Sequence, residues 1–170
     1  MPATYEPIAS QTLGSGVGTL TFSDIPGSFT DLVLVVVFGA ATAGATLRVR
    51  VNSDTGSNYS YTYLTGNGTA ASSSRQSSVT SGAVALTGVG ASTALQNVAV
   101  AHFMSYANTN VFKTILGSGA SAANEVDRVV SLWRSTSAIT SISVSPGGSF
   151  PTHNFASGTT GALYGIKASA

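Results

Sequence analysis

The chain has no cysteine, and among its 170 residues only thirteen side chains carry a formal charge, seven basic and six acidic. Without thiols there are no disulfide staples and no thiolate metal sites. A net charge of +1 leaves no basic face of the kind that phosphate backbones demand, so no nucleic-acid partner is expected. No apolar window approaches the roughly 18 residues of a membrane-spanning helix, and no membrane partner is expected. Met1–Ser10 lacks a basic stretch followed by an apolar one, so no secretory leader is expected either.

Hydrophobic residues make up 43% of the chain, and 19 positions are glycine. Disorder combines low hydrophobicity with high charge, and this composition has neither. Charged residues reach only 8%, against about a quarter in ordinary soluble domains. Ser, Thr, Ala and Gly fill the gap and give a polar but uncharged exterior. A folded monomer of this mass exposes about 7,700 Å², and thirteen charges are thin cover for it. The composition therefore predicts that companions in an assembly hide much of the surface. The length, with no linker-like break in composition, predicts one domain over residues 1–170.

The dominant period is two. Leu20 and Phe22 alternate with Thr19, Thr21 and Ser23; Leu47, Val49 and Val51 alternate with Arg48, Arg50 and Asn52; Ile142 and Val144 alternate with Ser141 and Ser143. Each pattern marks a strand with one buried face. Leu32–Phe38 is instead a continuous, valine-rich apolar run, which predicts a strand covered on both faces, by the opposite sheet and by a neighbour. Further strands are expected at Tyr5–Leu13, Tyr59–Leu64, Val79–Leu86, Leu95–Met104, Phe112–Leu116, Val126–Trp133 and Ala162–Ile166. Turn-forming clusters separate them, among them Ala40–Ala45, Ser53–Asn58, Thr65–Ser74, Thr87–Ser92 and Gly117–Asn124. Ala120–Val130 carries no sustained helical stripe. About ten short strands with such turns predict an all-β fold, an antiparallel β-sandwich of jelly-roll type.

Residues that could carry chemistry are few. Gly14-Ser15-Gly16, Gly66-Asn67-Gly68, Gly88-Val89-Gly90 and Gly117-Ser118-Gly119 never extend to a phosphate-binding motif and are expected in tight turns. His102 and His153 are the only histidines, and no nucleophile elbow accompanies them. His102 shares strand parity with Val98, Val100 and Met104, and His153 falls in a loop. Glu125 and Asp127 would share a strand face, as paired carboxylates do in glycoside hydrolysis, but adjoin Arg128, which favours a solvated or ion-paired cluster. Asn52, Asp54 and Asn58 around Gly56 resemble the start of a calcium loop, yet Tyr63 and Thr65 stand where its bidentate Glu belongs; Asx-turns closing a hairpin explain the same residues. No catalytic residue, metal site or cofactor is therefore assigned. Tyr59, Tyr61 and Tyr63 have one parity, and Trp133 with Arg134 ends another strand. These five form a candidate platform whose rings fill a core, line a protein interface or stack on sugars.

The run Asn52–Ser60 (NSDTGSNYS) followed by Leu64–Arg75 (LTGNGTAASSSR) resembles a family of small virion-associated proteins of tailed bacteriophages. Blocks at Ile8–Ser15, Phe22–Leu34, Ser131–Ile142 and Leu163–Ile166 carry the same resemblance across nearly the whole chain. Two stretches depart from the pattern: Ser53 stands where the family has the glycine of F-N-G-D, and Thr87–Ser105 is alanine-rich. The resemblance implies a structural protein of the virion, first a capsid decoration (cement) protein that bridges major capsid protein subunits. It implies a homo-oligomer, a trimer before a dimer. The alternative it leaves is a tail-fibre or receptor-binding module for host-surface glycan.

Overall fold

The alternating patterns form ladders. The structure, a computed structural model, describes residues 5–40, 46–85, 92–121, 125–151 and 153–167, and among them every regular element is a strand. In chain order these are β1 (Tyr5–Thr12), β2 (Leu20–Phe22), β3 (Asp31–Ala40), β4 (Leu47–Val51), β5 (Tyr59–Gly66), β6 (Ala71–Val79), β7 (Gly82–Ala85), β8 (Ser92–Met104), β9 (Lys113–Ser121), β10 (Glu125–Trp133), β11 (Ile142–Pro146) and β12 (Thr160–Ile166). Most of the Ala40–Ala45 and Thr87–Ser92 turns, and Gly88-Val89-Gly90, lie outside the described residues.

All pairings are antiparallel, and the fold is the expected all-β sandwich. One sheet has eight strands in the order β1-β12-β3-β8-β9-β10-β5-β6, and the other has four, β2-β11-β4-β7. Inward-facing residues of both sheets make one core. Leu32, Leu34, Val36 and Phe38 of β3 meet Leu47, Val49 and Val51 of β4 in it, with Leu20, Phe22, Ile142 and Val144 alongside. Phe38 meets Phe155 edge-to-face, ring centroids 5.9 Å apart. The total accessible surface, 7,826 Å², matches a compact monomer of this mass.

Two departures from the expected strands each have a physical reason. The stretch expected as a turn at Thr65–Ser74 contains the start of β6, which pairs with β5 through Thr62↔Arg75 and Leu64↔Ser73. Residues 71–78 of β6 are exposed on both faces, so no apolar alternation marks the strand. Gly117-Ser118-Gly119, expected as a tight turn, continues β9. There β7 crosses so closely that a Cβ on Gly117 would lie 2.3 Å from the Val84 carbonyl oxygen, and one on Gly119 would lie 2.4 Å from Ala85 Cβ. These glycines are small because the second sheet sits on them. Ser131 fastens the contact: its hydroxyl accepts from Ala83 N at 3.0 Å and donates to Ala83 O at 2.8 Å.

Candidate functional site

The tyrosines do share a face, because β5 is a strand, but that face points inward. Tyr59 and Tyr61 are buried and Tyr63 is half-buried. Tyr59 Oη accepts from Val51 N at 3.1 Å. Burial pushes its pKa up to about 12, the nearby Asp54 charge adds to this, and the Val51 hydrogen bond opposes it. Tyr61 packs with Ala83 and Val129 in a small second cluster. Trp133 is 3% exposed and belongs to the main core. Its Nε1 donates to Asp54 Oδ2 at 2.6 Å. Arg134 is a latch: Nη2 donates to Ser57 O at 2.7 Å and Nη1 to Ser60 Oγ. Of the three readings open for Tyr59, Tyr61, Tyr63, Trp133 and Arg134, the rings of Tyr59, Tyr61 and Trp133 follow the core one, and Tyr63 is half-buried at its edge. Alternation establishes their common parity but not which side of the sheet the second layer covers.

The Asn52–Asn58 segment carries the chain from β4 in one sheet to β5 in the other, and does not close the hairpin expected there. Asp54 Oδ1 accepts from Gly56 N at 2.8 Å, and Oδ2 accepts from Asn58 Nδ2 at 2.9 Å as well as from Trp133. Burial would raise the Asp54 pKa, but these hydrogen bonds and the Arg50 charge outweigh it and hold the carboxyl below its ordinary value. Asn52 turns away, its Oδ1 accepting from Thr140 N at 2.8 Å and its Nδ2 donating to Ala138 O at 2.7 Å. The oxygens are engaged in Asx-turns and capping. Among the described residues no group of three or more His, Asp or Glu is placed to hold a metal.

The remaining candidates separate likewise. His102 Nε2 lies 3.1 Å from Asp31 Oδ2, and Asp31 Oδ1 accepts from Ser105 N at 2.6 Å. His153 sits apart, in the loop whose backbone amide donates to Pro146 O. Glu125 and Asp127 share the inner face of β10, but Asp127 is buried with Thr65 Oγ1 donating to it at 2.6 Å. Arg128 projects to the opposite face. Lys113 is fully buried without a carboxylate beside its ammonium, which donates to the carbonyls of Asn108, Val111 and Thr136 at 2.6–3.0 Å. Desolvation lowers its pKa, and its work is to tie loops to the start of β9.

What no motif marked is the outer face of the eight-stranded sheet. Register aligns Val33, His102, Leu116, Val130 and Thr62 in one row across β3, β8, β9, β10 and β5. A second row holds Val35, Val100, Ser118, Arg128 and Leu64, and a third holds Val37, Val98, Ala120, Val126 and Gly66. Exposure rises from 37% at Val37 to 62% at Leu64 and Val126. Among the described residues only one side of the Leu32–Phe38 run is thus covered. The three rows span on the order of 500 Å² at ordinary strand spacings, toward the upper end of the apolar patches that soluble monomers leave bare. A shallow hollow of about 300 Å³ lies within it, between Leu64, Leu116 and Val130. The available signal was the run of apolar residues on both parities of β3, repeated more weakly in Val98, Val100, Val126 and Val130.

No helix of the described residues is long and apolar enough to cross a membrane. No protein-family model matches the chain, and no curated protein matches it.

Proposed function

We propose that this chain is a bacteriophage capsid decoration protein, which associates with its own copies and bridges neighbouring major capsid protein subunits on the virion. One observation carries the reading: a largely apolar sheet face, about as large as the centre of a stable interface, that no other described residue covers. The low charge is in keeping with it, and so is the family resemblance of the sequence. Covering valines and leucines stabilises association by about 25 cal/mol per Å² of apolar area before ordering costs. Binding that exists only in the folded state also stabilises the fold by mass action. Closed symmetry follows for identical copies, a trimer first and a dimer second. The role needs neither a reactive centre nor a cofactor. The alternative is a tail-fibre module for host glycan, to which the buried rings of Tyr59 and Tyr61 offer no stacking surface.

Val130→Glu tests the reading, because Val130 is 50% exposed in the centre of the face. The variant should keep the unfolding free energy of the isolated chain within about 0.5 kcal/mol. It should lose oligomerisation and binding to empty capsids, measured by sedimentation. In a reconstruction of the particle, density for the wild-type chain should recur over the whole head. Undiminished assembly by Val130→Glu, or a few copies confined to the tail, rejects the proposal.

A further inference from the structure

The four-stranded sheet is narrower than the sheet it covers, and a notch of about 430 Å³ opens where β5 and β6 run past it. Arg48, Tyr61, Gln76, Thr80 and Ser149 line it, and among the described residues no carboxylate does. Arg48 points away from the core because Leu47 and Val49 on either side point into it. Its guanidinium lies over the Tyr61 ring, 4.9 Å from the centroid, and Nε donates to Thr46 Oγ1 at 3.1 Å. Thr46 in turn donates to Gly147 O and accepts at its own carbonyl from Gly147 N, which fixes the turn carrying Ser149. Both Nη groups of Arg48 are left without a hydrogen-bond or ion-pair partner among the described residues.

Two residues on, Arg50 is spoken for. It donates to Thr80 O at 2.9 Å, lies 4.5 Å from the Phe150 ring centroid, and shares its charge with Asp54. The notch therefore offers one oriented, unneutralised guanidinium fork among an amide and several hydroxyl-bearing side chains. A held fork matches a carboxylate bidentately. A phosphate dianion would call for a second free cation, and among the described lining residues Arg48 is the one cation. The volume falls within the range of small-ligand sites.

We propose that this notch binds an acidic sugar residue, its carboxylate on Arg48 and its ring hydroxyls on the Gln76 amide and the Thr80 and Ser149 side. In this arrangement Tyr61 serves by backing the guanidinium, not by stacking on the sugar. The inference does not rest on the capsid reading, and either can fail alone.

Calorimetric titration of the full chain tests it with four probes: trigalacturonate, sialyllactose, the methyl ester of trigalacturonate, and inorganic phosphate. At least one of the two acidic sugars should bind with a dissociation constant of about 1 mM or tighter. The ester and phosphate should each bind at least roughly tenfold more weakly, and Arg48→Gln should lose roughly tenfold. Gln76→Ala, an exposed change that leaves the fold alone, should lose about threefold with an unchanged thermal midpoint. The proposal is overturned if neither acidic sugar binds at about 10 mM. Equal affinity for acid and ester, phosphate binding as tight as the sugars, or undiminished binding by both variants overturns it as well.

Discussion

The centre of the eight-stranded sheet and its β6 flank share one hydrogen-bond ladder and differ in what lies on top of it. At the centre β7 presses on β9, and only glycine fits at residues 117 and 119. On the flank, a Cβ on Gly66 would meet nothing within 4 Å, and the residues of β6 up to Ser78 are exposed to water on both sides. Side-chain identity in this molecule thus follows cover, not strand formation. A serine-rich segment extends where a neighbour strand supplies the ladder, and a glycine pair stays extended where a second layer supplies the constraint.

The largest effect should come from reversing that constraint. Gly117→Ala places a methyl against backbone that no rotamer change can relieve, and should lower the unfolding free energy by about 3 kcal/mol in urea melts. Gly66→Ala, the same change on the flank, should stay within about 0.5 kcal/mol. Equal costs would break the comparison. Next comes Ser131→Ala, which removes the acceptor of the buried Ala83 amide. It should cost about 2 kcal/mol, whereas Ser74→Ala on exposed β6 should be neutral.

A smaller effect, of opposite sign, is expected where the backbone after β4 turns back. Ser53 has φ of 53°, a left-handed conformation that favours glycine. Ser53→Gly should stabilise by about 0.5 kcal/mol in the same melts. The smallest effect concerns Asp54, beside that turn. A carboxyl with a folded pKa below its unfolded value stabilises the fold above the ordinary carboxylate range and loses this as pH falls through the lowered value. Asp54→Asn should therefore flatten the acid limb of the stability profile by lowering stability slightly at neutral pH, toward the wild-type value in acid. A wild-type profile with no such limb would count against the hydrogen-bonding assigned to Asp54.

The strands with one wet face were legible in the sequence, because alternation in Leu20–Phe22, Leu47–Val51 and Ile142–Val144 reports a cover on one side only. β6 was not, since a strand wet on both faces has no hydrophobic period to show. The length of β9 was hidden by glycines that look like turn formers and are in fact imposed by β7, a contact far away in the chain. For the candidate sites, the common parity of Tyr59, Tyr61 and Tyr63 was legible, and so was the Asx character of Asp54. Their direction was not, because period two cannot say which side receives the second sheet. The notch at Arg48 was beyond reach for a related reason: it joins residues 48, 61, 76 and 149, which meet only once both sheets have stacked.

The chain holds a single indole, at Trp133, nearly sealed from water and hydrogen-bonded to the loop that follows β4. It follows that intrinsic fluorescence excited on the red edge comes from one fluorophore at one place. Its emission should move to longer wavelength when β10 and that loop part, which gives folding of this region an optical readout without any label.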